Sequence, residues 1–258
     1  MSWYPSEPRG GDAVTMRVLG VPAGATVEAF LNGHPLGVFR AGGTHVAVWG
    51  IDMDAKSGSV PWRVVVRGKG AARLEGRLTV AARNYTVQHL TVAPGFAQLD
   101  PETERRANAE TARMREVYRT MSGERLWDGG FVRPVTGDAP GTGFGSRRVI
   151  NGQPRSPHSG SDFPAAVGAP VIASNRGRVA LVGEFFFPGR LVILDHGLGI
   201  HTAYFHLDTI AVGDGQLVER GQALGTVGMT GRVTGPHLHF GAQAGTARID
   251  PTTLFALD

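Results

Sequence analysis

At 258 residues the chain is long enough for one large or two modest domains of about 100 to 200 residues. Hydrophobic residues at 41% and charged residues at 19% exclude a disordered polyelectrolyte, and 38 Gly with 16 Pro, scattered without a triplet period, exclude collagen and point to tight turns between short strands. Zero Cys excludes thiol nucleophiles and thiolate metal sites, only Lys56 and Lys69 are lysines so no P-loop or Schiff-base lysine lies beyond them, and a net charge of +4 favours an anionic partner such as nucleic acid, lipid or bacterial cell wall.

Along the chain, short apolar or alternating runs predict strands at 14–18, 25–31, 36–39, 45–49, 62–66, 74–80 and 85–92, broken at turn pairs such as Asn32-Gly33 and Gly42-Gly43. Seven strands in so short a stretch predict an all-β N-terminal domain over 1–94, an immunoglobulin-like sandwich without its disulfide. His34, His45 and His89 have no partner spacing there and read as structural or surface residues. Pro94 and Gly95 close the domain, and Asp100-Pro101-Glu102 carries an N-cap, a proline at the first helical position and acid in the first turn. A linking helix is therefore expected within 95–124, with Ala107, Met114, Val117, Tyr118 and Met121 on one face and Glu102 paired to Arg106, acting as a strut between two domains. Runs at 171–173, 179–182, 191–194, 200–206 and 237–242 predict a second all-β domain over 125–258, expected to fold without the first. No apolar leader follows Met1 and no run is long enough to span a bilayer, so no transmembrane segment and no signal peptide are expected in this chain.

Six of the nine histidines fall between His158 and His239, in a stretch that also holds Asp162. In Pro157-His158-Ser-Gly-Ser-Asp162, Gly160 and the prolines argue against a helix, and a straight strand would hold the pair about 13 Å apart, so the two meet only if the chain bends, with Gly160 the least costly point. In Gly235-Pro-His237-Leu-His239-Phe, strand alternation puts both imidazoles on one face and both apolar chains on the other. In Thr202-Ala-Tyr204-Phe-His206 the same alternation puts Thr202, Tyr204 and His206 together, so that Tyr204 is placed to touch substrate. Imidazoles with one carboxylate select zinc or a similar ion, and three protein ligands leave a position open for water, which points to catalysis. Alternation does not say which of His237 and His239 binds the metal.

Taken in order, His158-Ser-Gly-Ser-Asp162-Phe, Thr202-Ala-Tyr-Phe-His206-Leu, Gly221-Gln-Ala-Leu-Gly225, Thr230-Gly-Arg232 and Gly235-Pro-His237-Leu-His239-Phe resemble the lysostaphin-type (LytM-like) zinc metallopeptidases. Upstream, Trp127-x-x-Gly-Phe131-x-x-Pro134 and Phe144-Gly145-x-Arg147-Arg148-x-x-Asn151-Gly152 match as well, so the resemblance covers about 127 to 252. It implies one zinc ion held by His158, Asp162 and His239, with His237 and His206 catalytic. It further implies an endopeptidase that cuts stem or cross-link peptides of bacterial peptidoglycan, working as a monomer in the periplasm or outside the cell. His196 and His201 stay outside the set, His196 packing or capping a turn. The alternative is a non-catalytic wall-binding or amidase-activating module with a vestigial zinc site, which the complete ligand set disfavours. Nucleic-acid binding is not expected, since no zinc-finger spacing or aromatic-basic motif supports it.

Overall fold

The computed structural model describes residues 1–91 and 99–257 and is mostly β, in antiparallel sheets. The expected domain boundary at Pro94-Gly95 lies outside the described residues.

The N-terminal part contains β1 (Ser2–Tyr4), β2 (Ala13–Val18), β3 (Thr26–Leu31), β4 (His34–Pro35), β5 (Gly37–Ala41), β6 (Thr44–Gly50), β7 (Gly58–Arg67) and β8 (Ala72–Val80). They form two four-stranded sheets, ordered β1-β2-β6-β5 and β4-β3-β7-β8. Their inward side chains, among them Val14, Met16, Leu31, Ala47, Val64 and Leu78, share one core. Period-two alternation makes this possible, because each strand offers one apolar face to the other sheet.

The seventh expected strand departs from that arrangement. Residues 87–90, β9 (Val87–Leu90), pair parallel to β10 (Arg147–Ile150) rather than joining either N-terminal sheet. Tyr85 draws the segment away: its hydroxyl donates to the Gly10 carbonyl at 2.9 Å and its ring packs edge-on against Phe144 at 6.0 Å. Beyond it, β11 (Gln153–Pro154) pairs with β10.

Helix α1 (Pro101–Tyr118) starts where expected, the Asp100 carboxylate accepting from the Glu102 and Thr103 amides at 3.0 and 2.9 Å. Met114, Val117 and Tyr118 pack on Leu181, Phe185, Leu191 and Ile193, so the helix covers one face of the C-terminal sheet, while its surface pairs differ from expectation. Arg106 pairs with Glu110 at 2.7 Å and not with Glu102, and Met121 lies past the helix end, 48% exposed.

The C-terminal strands are β12 (Gly160–Pro164), β13 (Pro170–Ile172), β14 (Gly177–Phe185), β15 (Gly189–Gly197), β16 (Ile200–Ile210), β17 (Leu217–Val218), β18 (Ala223–Val227), β19 (His237–Ala244) and β20 (Ala247–Ile249). The main sheet runs β12-β19-β16-β15-β14-β17, with β18 on β16 and β13, and β20 on β19. One face, with Phe163, Val192, Tyr204, Leu238 and Phe240, builds the principal core, and α1 lies on the other.

The two parts share a core. Ala13 and Val48 pack with Trp127, Phe131, Leu198 and Ile249. Gly50 is pressed so close that a Cβ there would sit 2.9 Å from Ala244, Ala247 and Ile249. Around this contact Arg248 bonds Asp52 at 2.7 Å and Asp54 at 2.6 Å, Arg147 also bonds Asp54, and Arg83 bonds Asp250 at 2.8 Å.

Candidate metal centre and active site

Strands β12 and β19 are registered so that Asp162 lies opposite His239 and Pro164 opposite His237. Residues opposite each other in an antiparallel pair share a face, so one carboxylate and two imidazoles are displayed together while Leu238 and Phe240 are fully buried behind them. His158 arrives from the segment before β12. Its backbone is tied to the 143–146 turn, the His158 amide donating to Ser146 O at 3.0 Å and the Gly145 amide to His158 O at 2.8 Å. The bend needed to join His158 to Asp162 therefore comes from pairing with that turn. Gly160 itself is in register with Gly241 as an ordinary strand residue. What Gly160 supplies is room, since a Cβ there would lie 2.6 Å from His239 Nε2.

Three donor atoms converge. His158 Nε2, Asp162 Oδ1 and His239 Nδ1 stand 2.9 to 3.0 Å from one another. Atoms so spaced can all lie about 2 Å from a single point, the bond length zinc makes to imidazole and carboxylate. Two nitrogens, one oxygen and no thiolate suit a borderline ion, and three protein ligands leave a fourth position open. The Phe205 ring, opposite His239 in the sheet, stacks on it at 5.2 Å with planes 8° apart and fixes its orientation.

His237 and His206 flank this cluster. His237 Nε2 is 3.6 Å from Asp162 Oδ1, and the His206 and His237 rings are 5.0 Å apart. His206 Nδ1 lies 2.9 Å from the Thr230 carbonyl and His237 Nδ1 2.9 Å from the Gly235 carbonyl. A carbonyl only accepts, so in each ring Nδ1 carries the proton of the bond and the neutral ring keeps its lone pair on Nε2. Burial, reinforced by nearby His239, pushes the His206 pKa down to about 4, which keeps it neutral at pH 7. Burial also lowers His239. For Asp162 burial opposes ionisation, but the bonds with His158 and His239 together outweigh it and hold the carboxyl well below its usual range.

His206 reaches the cleft by a route that alternation misses. Its φ is +64°, and on β15 Arg190 and Val192 pair with Leu207 and Tyr204, so β16 carries one more residue than its partner across this step. The bulge puts Phe205 and His206 both toward His239, while Tyr204 and Leu207 point into the core. Tyr204, expected to touch substrate, is thus turned away from the cleft. It has no exposure, and its hydroxyl accepts from the Ser174 amide at 2.8 Å and lies 3.0 Å from Thr202 Oγ1.

His196, also fully buried, has Nδ1 2.8 Å from Arg176 O and Nε2 2.7 Å from Thr202 Oγ1, so it packs, as its sequence context implies. His201 is buried against Tyr118 and Thr120, away from the cluster. Residues that motif spacing did not single out complete the cleft: Gln88 from β9, Met114 from α1, and Phe187.

The sequence model of peptidase family M23 matches residues 156–251, which include every residue of this cluster. Peptidoglycan DD-endopeptidase ShyB of Vibrio cholerae is 46% identical over 84 residues, covering 33% of this chain and 20% of the relative. DD-carboxypeptidase/endopeptidase Mpg of Neisseria meningitidis is 37% identical over 97 residues, covering 38% of this chain and 22% of the relative. The chain thus spans about a fifth of the length of these curated relatives. A Pseudomonas aeruginosa structure assigned to peptidase M23 aligns with 96% of this chain and 95% of its own, at 31% identity and a TM-score of 0.69. That near full-length match, with the family model spanning the site, means that the chain belongs to the metallopeptidase family M23.

Proposed function

We propose that this protein is a zinc-dependent endopeptidase that hydrolyses peptide bonds in the stem or cross-link peptides of bacterial peptidoglycan, and that it works in the cell envelope. The convergence of His158, Asp162 and His239 beside two imidazoles whose Nε2 lone pairs are kept available carries this proposal. Bound by those three residues, zinc would supply Lewis acidity, lowering the pKa of a water toward 7 and polarising the scissile carbonyl. His237 or His206 accepts the water's proton at Nε2 and then returns it from the same atom to the leaving amine, while the other ring can donate from Nε2 to the developing oxyanion only in its protonated form. The Thr230 and Gly235 carbonyls keep both rings oriented throughout.

The name of the Vibrio cholerae relative supports the peptidoglycan substrate, and that of the Neisseria relative supports endopeptidase activity. Among the described residues no helix is long and apolar enough to cross a membrane. For the N-terminal part we read an immunoglobulin-like sandwich over 1–94, a helical connection over 95–124 and the peptidase domain over 125–258. In support, the order β1-β2-β6-β5 against β3-β7-β8 follows the A-B-E-D and C-F-G sheets of that fold, with β4 added beside β3.

The test is digestion of purified sacculi and defined wall fragments with mass analysis of the products. Peptide cleavage that stops on chelation and returns with zinc is expected. Zinc-loaded protein that releases no peptide product overturns the proposal.

A further inference from the structure

We propose that Arg148 and Arg232 form a carboxylate-binding subsite in the cleft that holds the His158, Asp162 and His239 cluster, so that the preferred substrate is a peptide with a free carboxylate near the bond that is cut. The inference rests on the endopeptidase reading of this cleft and specifies what the cleft recognises.

Charge is the first argument. The cleft encloses about 510 Å³, and both guanidinium groups line it. Asp162 is the one carboxylate among its lining residues, and three imidazoles already surround that oxygen at 3.0 to 3.6 Å. Neither Arg148 nor Arg232 has an ion pair among the described residues, although elsewhere arginines commonly find one: adjacent Arg147 bonds Asp54, Arg190 bonds Glu184 and Arg176 bonds Glu219. The cleft therefore holds two positive charges that no protein carboxylate balances, and a guanidinium fork matches a carboxylate in geometry.

Mounting is the second argument. Arg148 sits on β10, paired in register with Gln88 of β9, which also lines the cleft. The Arg232 amide donates to Phe187 O at 3.0 Å and its guanidinium lies 5.1 Å from the Phe187 ring centre. The same loop supplies the Thr230 and Gly235 carbonyls that orient His206 and His237. A carboxylate held by Arg232 is thereby positioned relative to the two imidazoles by one short stretch of chain.

The experiment uses two synthetic branched wall peptides of one sequence, one with its carboxylates free and one with them amidated. Calorimetry on zinc-free full-length protein measures binding, since a bound metal would itself attract carboxylates, and zinc-loaded protein gives kcat/KM for both peptides. The free acid is expected to bind about tenfold more tightly at low salt, with the advantage shrinking as salt screens it. Combined Arg148→Gln and Arg232→Gln should bring the ratio near one, Arg→Lys at both should retain part of it, and Arg40→Gln, which removes one exposed charge far from the cleft, should leave it unchanged. Equal binding of the two peptides by wild type, or an undiminished ratio in the double Gln variant, overturns the subsite. Arg-dependent acid preference without turnover would leave the subsite standing and remove the endopeptidase reading; turnover without acid preference does the reverse.

Discussion

The paired sheets of residues 2–80 and the sheet of residues 160–249 both send successive side chains to opposite faces, but they keep register differently. Among the described residues, every N-terminal strand pair holds a single register from end to end. The C-terminal sheet slips register between β14 and β15, β15 and β16, and β16 and β18. Histidines follow suit. His45 is buried alone in the first part, whereas in the second a regular strand pair presents His237, His239 and Asp162, and a bulge adds His206. Regular alternation can line up groups along one strand. Bringing groups from several strands to one point takes an interruption, and this one costs the sheet a residue held at positive φ.

The sharpest way to break that comparison is to remove the converging groups one at a time. His239→Ala should lose both metal and activity, because two protein ligands rarely hold zinc tightly. His237→Ala and His206→Ala should keep one zinc per chain and lose about 10² to 10⁴ in rate, the usual cost of a general acid or base. Metal analysis beside kcat/KM reads both. If His237→Ala releases zinc while His239→Ala retains it, the division of roles is reversed.

Gly160→Ala should have a smaller effect by the same route. Its Cβ would press on His239 Nε2 and Phe240 O, each 2.6 Å away, so either the ring or the β12-β19 pairing must shift. About 10- to 100-fold weaker zinc binding is expected, the loss typical when a ligand's support is disturbed. A chelator competition showing wild-type affinity would mean the ring has freedom that the structure does not reveal.

How the two parts are joined gives a third test. With Leu198 and Ile249 buried against Ala13 and Val48, a fragment of 125–258 exposes apolar surface and loses Gln88 and Met114 from the cleft. The independent folding expected of that fragment therefore has to overcome a divided core. Arg248→Met probes the polar side of this junction and should cost about 1 to 2 kcal/mol, the partners being about one-third exposed or more. For Asp52 and Asp54, burial opposes ionisation but the bonds from Arg248, and for Asp54 also from Arg147, win and lower both pKa values. Lowered carboxylates stabilise the fold fully above their ordinary pKa near 3.8, and that contribution disappears as pH falls through the lower folded values. Acid unfolding followed by circular dichroism should thus show a gap between wild type and Arg248→Met at pH 6 that narrows in strong acid. A gap that stays constant would mean that side-chain packing, not charge, supplies Arg248's contribution.

Legibility in the sequence follows the same division. Apolar or alternating runs marked β2, β3, β6, β7 and β8, and in the second part β14, β15, β16 and β19; β14 alternates in burial, whereas β2, β6, β15, β16 and β19 are buried along most of their length. The pairing of His237 with His239 was readable because strand residues two apart share a face. The parallel pairing of β9 with β10 was not, since it depends on Tyr85 meeting Gly10 and Phe144, contacts distant in sequence that no local period encodes. The His206 bulge was hidden as well: positive φ is uncommon outside glycine, and nothing in Tyr204-Phe-His206-Leu marks it.

Tyr204→Phe carries the smallest expected effect and tests that misread step directly. Plain alternation from His206 puts Tyr204 in the cleft, where losing its hydroxyl would impair substrate turnover. With the bulge, the hydroxyl lies in the core against the Ser174 amide and Thr202, both without exposure. Removing it leaves a buried N–H without its acceptor, at a cost of about 1 to 2 kcal/mol, or a few degrees in Tm for a chain of this size. The cleft is untouched, so kcat/KM should stay within about twofold of wild type. Thermal denaturation and kinetics on one preparation separate the alternatives: lowered Tm with unchanged kcat/KM is the expected pair. Unchanged Tm with kcat/KM down tenfold would put Tyr204 beside the substrate and remove the bulge as the reason His206 reaches the site.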